Sequence, residues 1–207
     1  MNMKHIIRDR PLLLCLTIAY LLLFFSYRDL SIFWYIYTAS MACLFVLAYH
    51  VERPQNNFKL SGTLMIGFLS GMLMYIITWA ASKVLPAVHP PLQNQLEDLY
   101  ILLSPTETWQ YAMLILLIIP GEEIFWRGLI EKRLLTHIKT VQAVLLSTLL
   151  YSLPLIFSGN LLLVLAGIGG GLLWGTIYAW KRSLSMVIFS HLLFDLLLLA
   201  AFPLVRL

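Results

Sequence analysis

The chain has 207 residues, of which 60% are hydrophobic and only 12% are charged, and its mean hydropathy is +0.85. A soluble domain carries about twice this fraction of charged residues. Apolar stretches of about 20 residues recur from end to end, which is the length that crosses a bilayer core as a helix. Apolar and polar residues do not alternate as they would in a membrane β-barrel. The net charge of +4 is scattered among short loops, which argues against a nucleic-acid partner.

The apolar stretches predict an all-α fold, a polytopic transmembrane bundle of about seven helices. The first stretch follows a basic leader but no small-residue cleavage site follows it, so we interpret it as a retained helix. Small residues four apart predict close helix packing at Gly67 and Gly71, and again at Gly167, Gly171 and Gly175. The predicted spans are about 11–27, 31–50, 60–85, 109–131, 140–158, 161–180 and 184–204.

Basic residues are distributed unevenly between the two sides of this bundle. If the N-terminus is cytoplasmic, ten lysines and arginines fall in inside segments and only Arg28, Lys83 and Arg206 in outside segments. This bias predicts a cytoplasmic N-terminus, and the absence of a eukaryotic targeting feature favours a bacterial inner membrane. The longest polar connection, about residues 86–108, then faces outward and can form a short interfacial helix at its centre.

Five ionisable residues lie within the predicted spans, where charge usually marks a functional cavity or an internal ion pair. Glu122, Glu123 and Arg127 belong to the fourth span, and His191 and Asp195 to the seventh. Glu123 and Arg127 are four residues apart and can form a structural pair, whereas Glu122 points about 100° away. His191 and Asp195 share one face of the last span. All other charged residues are placed at span ends or in loops.

Glu122 and His191 lie at similar depths, roughly 10–14 Å from the cytoplasmic ends of their spans. We therefore expect a site that opens within the cytoplasmic leaflet between the fourth and seventh helices. A hydrolytic site that uses a metal or an activated water, a proton relay in a transporter, and a structural charge network all fit this cluster. The spacing alone leaves these three alternatives open.

Two sequence motifs resemble those of a known family. The stretch "EEIFWRG", residues 122–128, resembles the EExxxR(G) motif of the CPBP family of intramembrane proteases, also called the CAAX-protease and bacteriocin-processing or Abi family. The stretch "HLLFD", residues 191–195, is similar to the HxxxN or HxxxD motif on a later helix of that family. The resemblance implies an endopeptidase in which Glu122 activates water, Glu123 and Arg127 accompany it, and His191 with Asp195 binds the water or a metal.

The resemblance leaves the cofactor open, because the family's site is described both as a metal site and as a glutamate–histidine water site. If Zn²⁺ or another divalent metal is bound, Glu122, His191 and Asp195 can supply three ligands. The implied partners are a peptide or membrane-associated protein substrate and the lipid bilayer, and the oligomeric state is undetermined. We divide the chain into N-terminal transmembrane helices with an external loop, residues 1–104, and a protease-like core, residues 105–207.

The chain departs from the family pattern at the middle motif, FxxxH. Tyr151 stands in place of the phenylalanine and Leu155 in place of the histidine, and residues 138–190 contain no histidine. The Tyr151 hydroxyl can orient water or an oxyanion, and Pro154 predicts a kink that frees a backbone carbonyl. The alternative function is a catalytically inactive family member that acts as a membrane binding, regulatory or bacteriocin-immunity protein.

Overall fold

A computed structural model of the chain describes residues 3–205, with side chains from residue 6 onward. Arg206, which entered the charge count, lies outside the described residues. The described residues form helices joined by short loops, with one isolated bridge between Asn56 and Ser183 and no strand among them, so the predicted all-α fold is confirmed. The α-helices are α1 (Met3–Arg8), α2 (Arg10–Arg28), α3 (Phe33–Val51), α4 (Leu60–Val88), α5 (Pro91–Leu103), α6 (Thr108–Met113), α7 (Ile119–Phe125), α8 (Lys132–His137), α9 (Thr140–Ser152), α10 (Leu161–Lys181) and α11 (Leu184–Leu196).

The long helices confirm a multi-pass helical membrane bundle. Within residues 3–205, six helices are long and apolar enough to cross a bilayer. The remaining predicted span falls on residues 108–137, where α6, α7 and α8 follow one another without a break in helical structure. This segment is charged in its second half, which sets it apart from the other six. The candidate spans are Arg10–Arg28, Leu30–Val51, Leu60–Val88, Thr140–Ser158, Leu161–Lys181 and Leu184–Ala201.

The charged helical segment is irregular on both sides of α7. A π-helical turn, Leu114–Ile118, precedes Pro120, and a second, Trp126–Glu131, follows the two acids. Proline has no N–H to donate, so the helical ladder loosens around Pro120. Such π-helical insertions are rare and frequently occur at functional sites. The local sequence therefore re-aims the side chains of Glu122 and Glu123 relative to a regular helix.

The glycine patterns place two pairs of helices in close contact, as predicted. A Cβ atom added at Gly71 in α4 would lie 2.7 Å from the Ser190 carbonyl oxygen of α11. One added at Gly171 in α10 would lie 2.8 Å from the Thr148 side chain of α9. Only glycine permits these backbones to approach so closely. The α4–α11 contact positions His191, and the α9–α10 contact positions Tyr151.

The end of the bundle that carries most of the basic loops is closed by ion pairs. Arg133 donates to Asp9 at 2.7 Å and lies 3.3 Å from Glu52, and Lys132 donates to Glu52 at 2.7 Å. Burial would raise the pKa of Asp9, but hydrogen bonds from the Leu12 amide and from Arg133 lower it below its ordinary value. We call this end the basic end, and the end that carries α5 the α5 end.

Candidate active site

A largely apolar cavity of about 270 Å³ extends from the middle of the bundle toward the α5 end. Its walls come from the second halves of α4 and α11, from α5, from the π-helical turn before α7, and from the first part of α10. Polar side chains gather at its inner end. The polar group consists of Tyr37, Glu122, Tyr151, His191 and Asp195.

The expectation that the site opens toward the basic, predicted cytoplasmic end is wrong. The cavity lies on the α5 side of Glu122, while the opposite side is filled by packed side chains such as Ile130 and Leu134, which are fully buried. The ion pairs of Arg133 close that end further. The depths of Glu122 and His191 were predicted from the number of residues to the ends of their spans. Such a count does not predict where the packed helices leave a cavity.

Helix α5 covers the cavity and is fastened at two points. Gln95 accepts a hydrogen bond from the Leu161 amide at 2.8 Å through its side chain, and its backbone carbonyl accepts one from Asn160 at 2.7 Å. The Tyr100 hydroxyl donates to the Leu198 carbonyl at 2.8 Å and accepts from the Leu204 amide at 2.8 Å. The short helix predicted within residues 86–108 is confirmed, and it forms the wall of the cavity at the α5 end.

Glu122 projects into the cavity and is held by two phenols. The hydroxyl of Tyr37 donates a short hydrogen bond to Oε1, and the hydroxyl of Tyr151 donates to Oε2 at 3.2 Å. The Glu122 side chain points away from the face of Glu123 and Arg127, as the helical geometry predicts. A carboxylate at the polar end of an apolar cavity is placed to bind a water molecule.

Glu123 forms the predicted pair with Arg127 and also contacts His191. Arg127 Nη1 donates to Glu123 Oε1 at 3.2 Å, and His191 Nδ1 lies 2.7 Å from the same oxygen. Because an ionised carboxylate can only accept, Nδ1 carries the proton and donates it. From helical spacing we expected Glu123 to form a structural pair, and the family resemblance placed it with Arg127 beside Glu122 in the site. The Glu123 carboxylate also orients the imidazole.

Aromatic rings pack against the imidazole of His191 and the guanidinium of Arg127. The Trp174 ring stacks on His191 with centroids 3.8 Å apart, and its Nε1 donates to Ser190 Oγ at 3.1 Å. The guanidinium carbon of Arg127 lies 4.6 Å from the centroid of the Tyr151 ring and 5.6 Å from that of Trp174. Cation–π contacts of this kind are strongest where water is excluded. The imidazole and Tyr151 are therefore both fixed in orientation.

The predicted metal ligands share the cavity without forming a coordination sphere. His191 Nε2 lies 3.7 Å from Asp195 Oδ2, and Nδ1 is engaged by Glu123. The two oxygens of Glu122 are engaged by the phenols. Within the described part of the chain, no three His, Cys, Asp or Glu side chains form a group that could hold a metal ion. Zn²⁺ binding by Glu122, His191 and Asp195 stays a prediction, and the arrangement as it stands does not fit it.

The position of the absent histidine is apolar. Helix α9 ends at Ser152 and a 3₁₀ turn, Leu153–Ser158, follows around Pro154, consistent with the predicted kink. Leu155 in this turn is buried, lines the cavity and packs against Gly167. The nearest polar substitute on this segment is the Tyr151 hydroxyl, one turn earlier.

Three residues near the site were missed by the sequence analysis. Tyr37 belongs to the stretch "IFWYIY", which is also typical of an interfacial aromatic belt, and Trp174 lies among glycines that predict only packing. Glu131 was placed at a span end, but the helix continues to His137 and its side chain is fully buried, with Ser147 Oγ donating to it at 3.2 Å. No local signal in the sequence distinguishes these positions.

The fold and site define a multi-pass helical membrane protein with a buried carboxylate–imidazole cluster at the end of an apolar cavity. Residues 104–197 match the family model described as type II CAAX prenyl endopeptidase, Rce1-like. The matched segment contains the EExxxR and HxxxD motifs, so the resemblance of this segment to the CAAX-protease family is confirmed. No curated protein and no solved structure matches the chain.

Proposed function

We propose that this protein is an intramembrane endopeptidase in which Glu122 activates a water molecule for attack on a peptide carbonyl. The observation that carries this proposal is the position of the Glu122 carboxylate, buried at the polar end of a cavity that is otherwise lined by apolar side chains. A buried carboxylate without a cation on it has no structural function that would offset its cost. A hydrolytic function explains why it is present.

The reaction begins with transfer of a proton from water to Glu122. The water oxygen bonds to the peptide carbonyl carbon and gives a tetrahedral oxyanion, while the Tyr151 hydroxyl continues to donate to Glu122. Collapse of this intermediate breaks the C–N bond, and Glu122 returns its proton to the departing amine. The carboxylate ends in its starting state. His191, held by Glu123, and Asp195 form the polar wall that binds the peptide backbone near the water.

The substrate is a peptide segment that enters from the membrane, because the cavity wall is apolar and α5 covers it. The Rce1-like match makes a prenylated C-terminal peptide the first substrate to test. Purified protein in lipid vesicles should cleave an internally quenched peptide that ends in a farnesylated Cys-aliphatic-aliphatic-X sequence. An unmodified peptide of the same sequence tests whether the lipid is required.

Glu122→Gln tests the base directly, because it keeps the size of the side chain and one oxygen that accepts from a phenol but cannot accept the proton of water. We expect cleavage to fall by at least about 100-fold, as is typical for loss of a general base. Tyr20→Phe is the matched control, since the Tyr20 hydroxyl donates to the Leu150 carbonyl at 3.0 Å outside the cavity. Full cleavage by a folded Glu122→Gln variant would exclude the mechanism.

The second candidate function is a binding, regulatory or immunity protein without catalytic activity. The apolar Leu155 favours it, because the site then lacks an imidazole at this position that could share the proton transfer with Glu122. This candidate predicts that Glu122→Gln keeps the biological effect of the protein, such as protection against a bacteriocin, in full. The proposed endopeptidase predicts that the effect is lost while the variant remains folded in the membrane.

The orientation in the membrane is part of the proposal. With the N-terminus cytoplasmic, α5 and the outer end of the cavity face the extracytoplasmic side. In a variant without the native Cys15 and Cys43, a membrane-impermeant thiol reagent applied to intact cells should label Glu97→Cys in α5. It should label Lys139→Cys, between α8 and α9, only after the cells are opened. The reverse pattern would invert the orientation.

A further inference from the structure

Tyr37 reaches the site from the N-terminal half of the chain. It lies in α3, outside residues 104–197 that match the family model, and its hydroxyl donates to Glu122 Oε1. Its ring stacks on Phe33, one turn earlier, with centroids 4.9 Å apart and an interplanar angle of 26°. Tyr27 packs against it from α2 with centroids 6.2 Å apart. Two helices thus hold the ring in place, so the direction of the hydroxyl is determined by packing.

The two phenols together restrict the Glu122 carboxylate. Rotation of a carboxylate about its last side-chain bond is soft, and a single hydrogen bond leaves its plane poorly defined. Here Tyr37 binds one oxygen and Tyr151 the other. Each carboxylate oxygen has about two acceptor directions, so one remains on each oxygen for water. Donors on both oxygens therefore orient the carboxylate without blocking it.

Leu155 makes these donors necessary. The side chain at this position is apolar and cannot hydrogen-bond to Glu122 or to a water beside it. Among the hydrogen bonds of residues 6–205, the side-chain donors to Glu122 are Tyr37 and Tyr151. Without them, a buried carboxylate would have lost its hydration and gained no partner, which is strongly unfavourable.

We propose that Tyr37 is a positioning residue of the site, which with Tyr151 holds Glu122 in the orientation that activates water. This inference rests on the proposed endopeptidase function. It extends the site beyond the Rce1-like segment, so that residues 104–197 without α3 lack one of the two groups that orient the base. Tyr37 acts through Glu122 and does not bind the reacting peptide.

Tyr37→Phe removes the hydroxyl and keeps the ring stack on Phe33. With the farnesylated quenched peptide, we expect kcat to fall by about ten- to a hundredfold, as for loss of a hydrogen bond to a charged group, with KM unchanged. Tyr151→Phe should behave in the same way. Tyr20→Phe, which loses a hydroxyl outside the cavity, should keep kcat within about twofold. A Tyr37→Phe variant with unchanged kcat, or one in which only KM rises, overturns the positioning function.

A thermal-unfolding cycle tests the same contact without activity. Tyr37→Phe should lower the melting temperature of the purified protein, and this effect should disappear in a Glu122→Ala background, because the partner of the hydroxyl is then absent. Effects that add in the double variant overturn the inference. If Tyr37→Phe does not fold, a fluorinated tyrosine at position 37 keeps the ring and changes the acidity of the hydroxyl. An unchanged kcat with this residue also overturns it.

The two proposals fail in different ways. Cleavage by Glu122→Gln at the original rate removes the endopeptidase mechanism, while the unfolding cycle still decides whether Tyr37 holds Glu122. Loss of cleavage in Glu122→Gln combined with normal kcat in Tyr37→Phe leaves the mechanism in place and removes the positioning function of Tyr37.

Discussion

Removal of the Arg127 guanidinium should destabilise the protein far more than loss of an exposed cation. Arg127 is 2% exposed and Glu123 is fully buried, and their atoms Nη1 and Oε1 are 3.2 Å apart. Breaking a buried pair by removal of one partner costs about 3–5 kcal/mol, because it leaves an uncompensated buried charge. With about 2–4 °C per kcal/mol for a chain of this size, Arg127→Met should lower the melting temperature by roughly 6–20 °C.

A second substitution tests whether the uncompensated charge is the cause. In the Arg127→Met background, Glu123→Gln removes the negative charge and keeps an oxygen that can accept from His191 Nδ1. The melting temperature, measured in detergent by tryptophan fluorescence, should recover by more than half. Lys132→Met is the matched control, because its ion pair with Glu52 is 2.7 Å long but partly exposed, and such pairs contribute at most about 1 kcal/mol. Equal small losses for Arg127→Met and Lys132→Met would refute the reasoning, as would a double variant no more stable than Arg127→Met.

Three further predictions concern the cofactor, the basic end and the helix contacts. Chelators should leave peptide cleavage unchanged, because in the proposed reaction the Glu122 carboxylate activates water by itself. Loss of cleavage that Zn²⁺ restores would instead support the three-ligand metal site. The pKa of Asp9 is lower in the folded protein than its ordinary value, so its ionised form stabilises the fold above about pH 4 and this contribution is lost as the pH falls through the lowered pKa. Arg133→Met should reduce this loss, measured as melting temperature between pH 5 and pH 3, and an unchanged pH dependence would contradict it. Gly71→Ala should lower the free energy of unfolding by about 1–3 kcal/mol, because the added Cβ clashes with the α11 backbone. Gly62→Ala is the control and should have little effect on chemical unfolding, because a Cβ added there lies 3.6 Å from its nearest neighbour. Equal effects of the two substitutions would refute the packing argument.

The helical bundle could be predicted from the sequence because a bilayer imposes a length and a composition on every span. The seven predicted spans all fall on helical segments, and the glycines at positions 71 and 171 lie at close contacts as expected. The pairing of Glu123 with Arg127 followed from helical spacing alone. These features depend on neighbours within one helix or on a repeating local pattern, which a sequence displays directly.

The contacts between helices could not be predicted in the same way. His191 contacts Glu123 through Nδ1, although the depth argument placed it opposite Glu122. The π-helical turns around α7 change the direction of each acid, and helical spacing assumes a regular helix. Tyr37 is 85 residues from Glu122 in the chain, and no local pattern connects the two. The position of the cavity depends on the packing of several helices and is equally non-local.

The presence of Leu155 and two tyrosines around Glu122 determines what the site can do with protons. An imidazole titrates near neutral pH and can accept a proton from water and return it, whereas a phenol, with an ordinary pKa near 10, donates a hydrogen bond and does not take up the proton. Tyr37 and Tyr151 can therefore orient Glu122 but cannot share its proton transfer. The imidazole of His191 is held through Nδ1 by Glu123, and its Nε2 lies 3.7 Å from Asp195 Oδ2. In the proposed reaction both proton transfers thus pass through Glu122, and its orientation by the two phenols determines whether the cavity hydrolyses a peptide or only binds it.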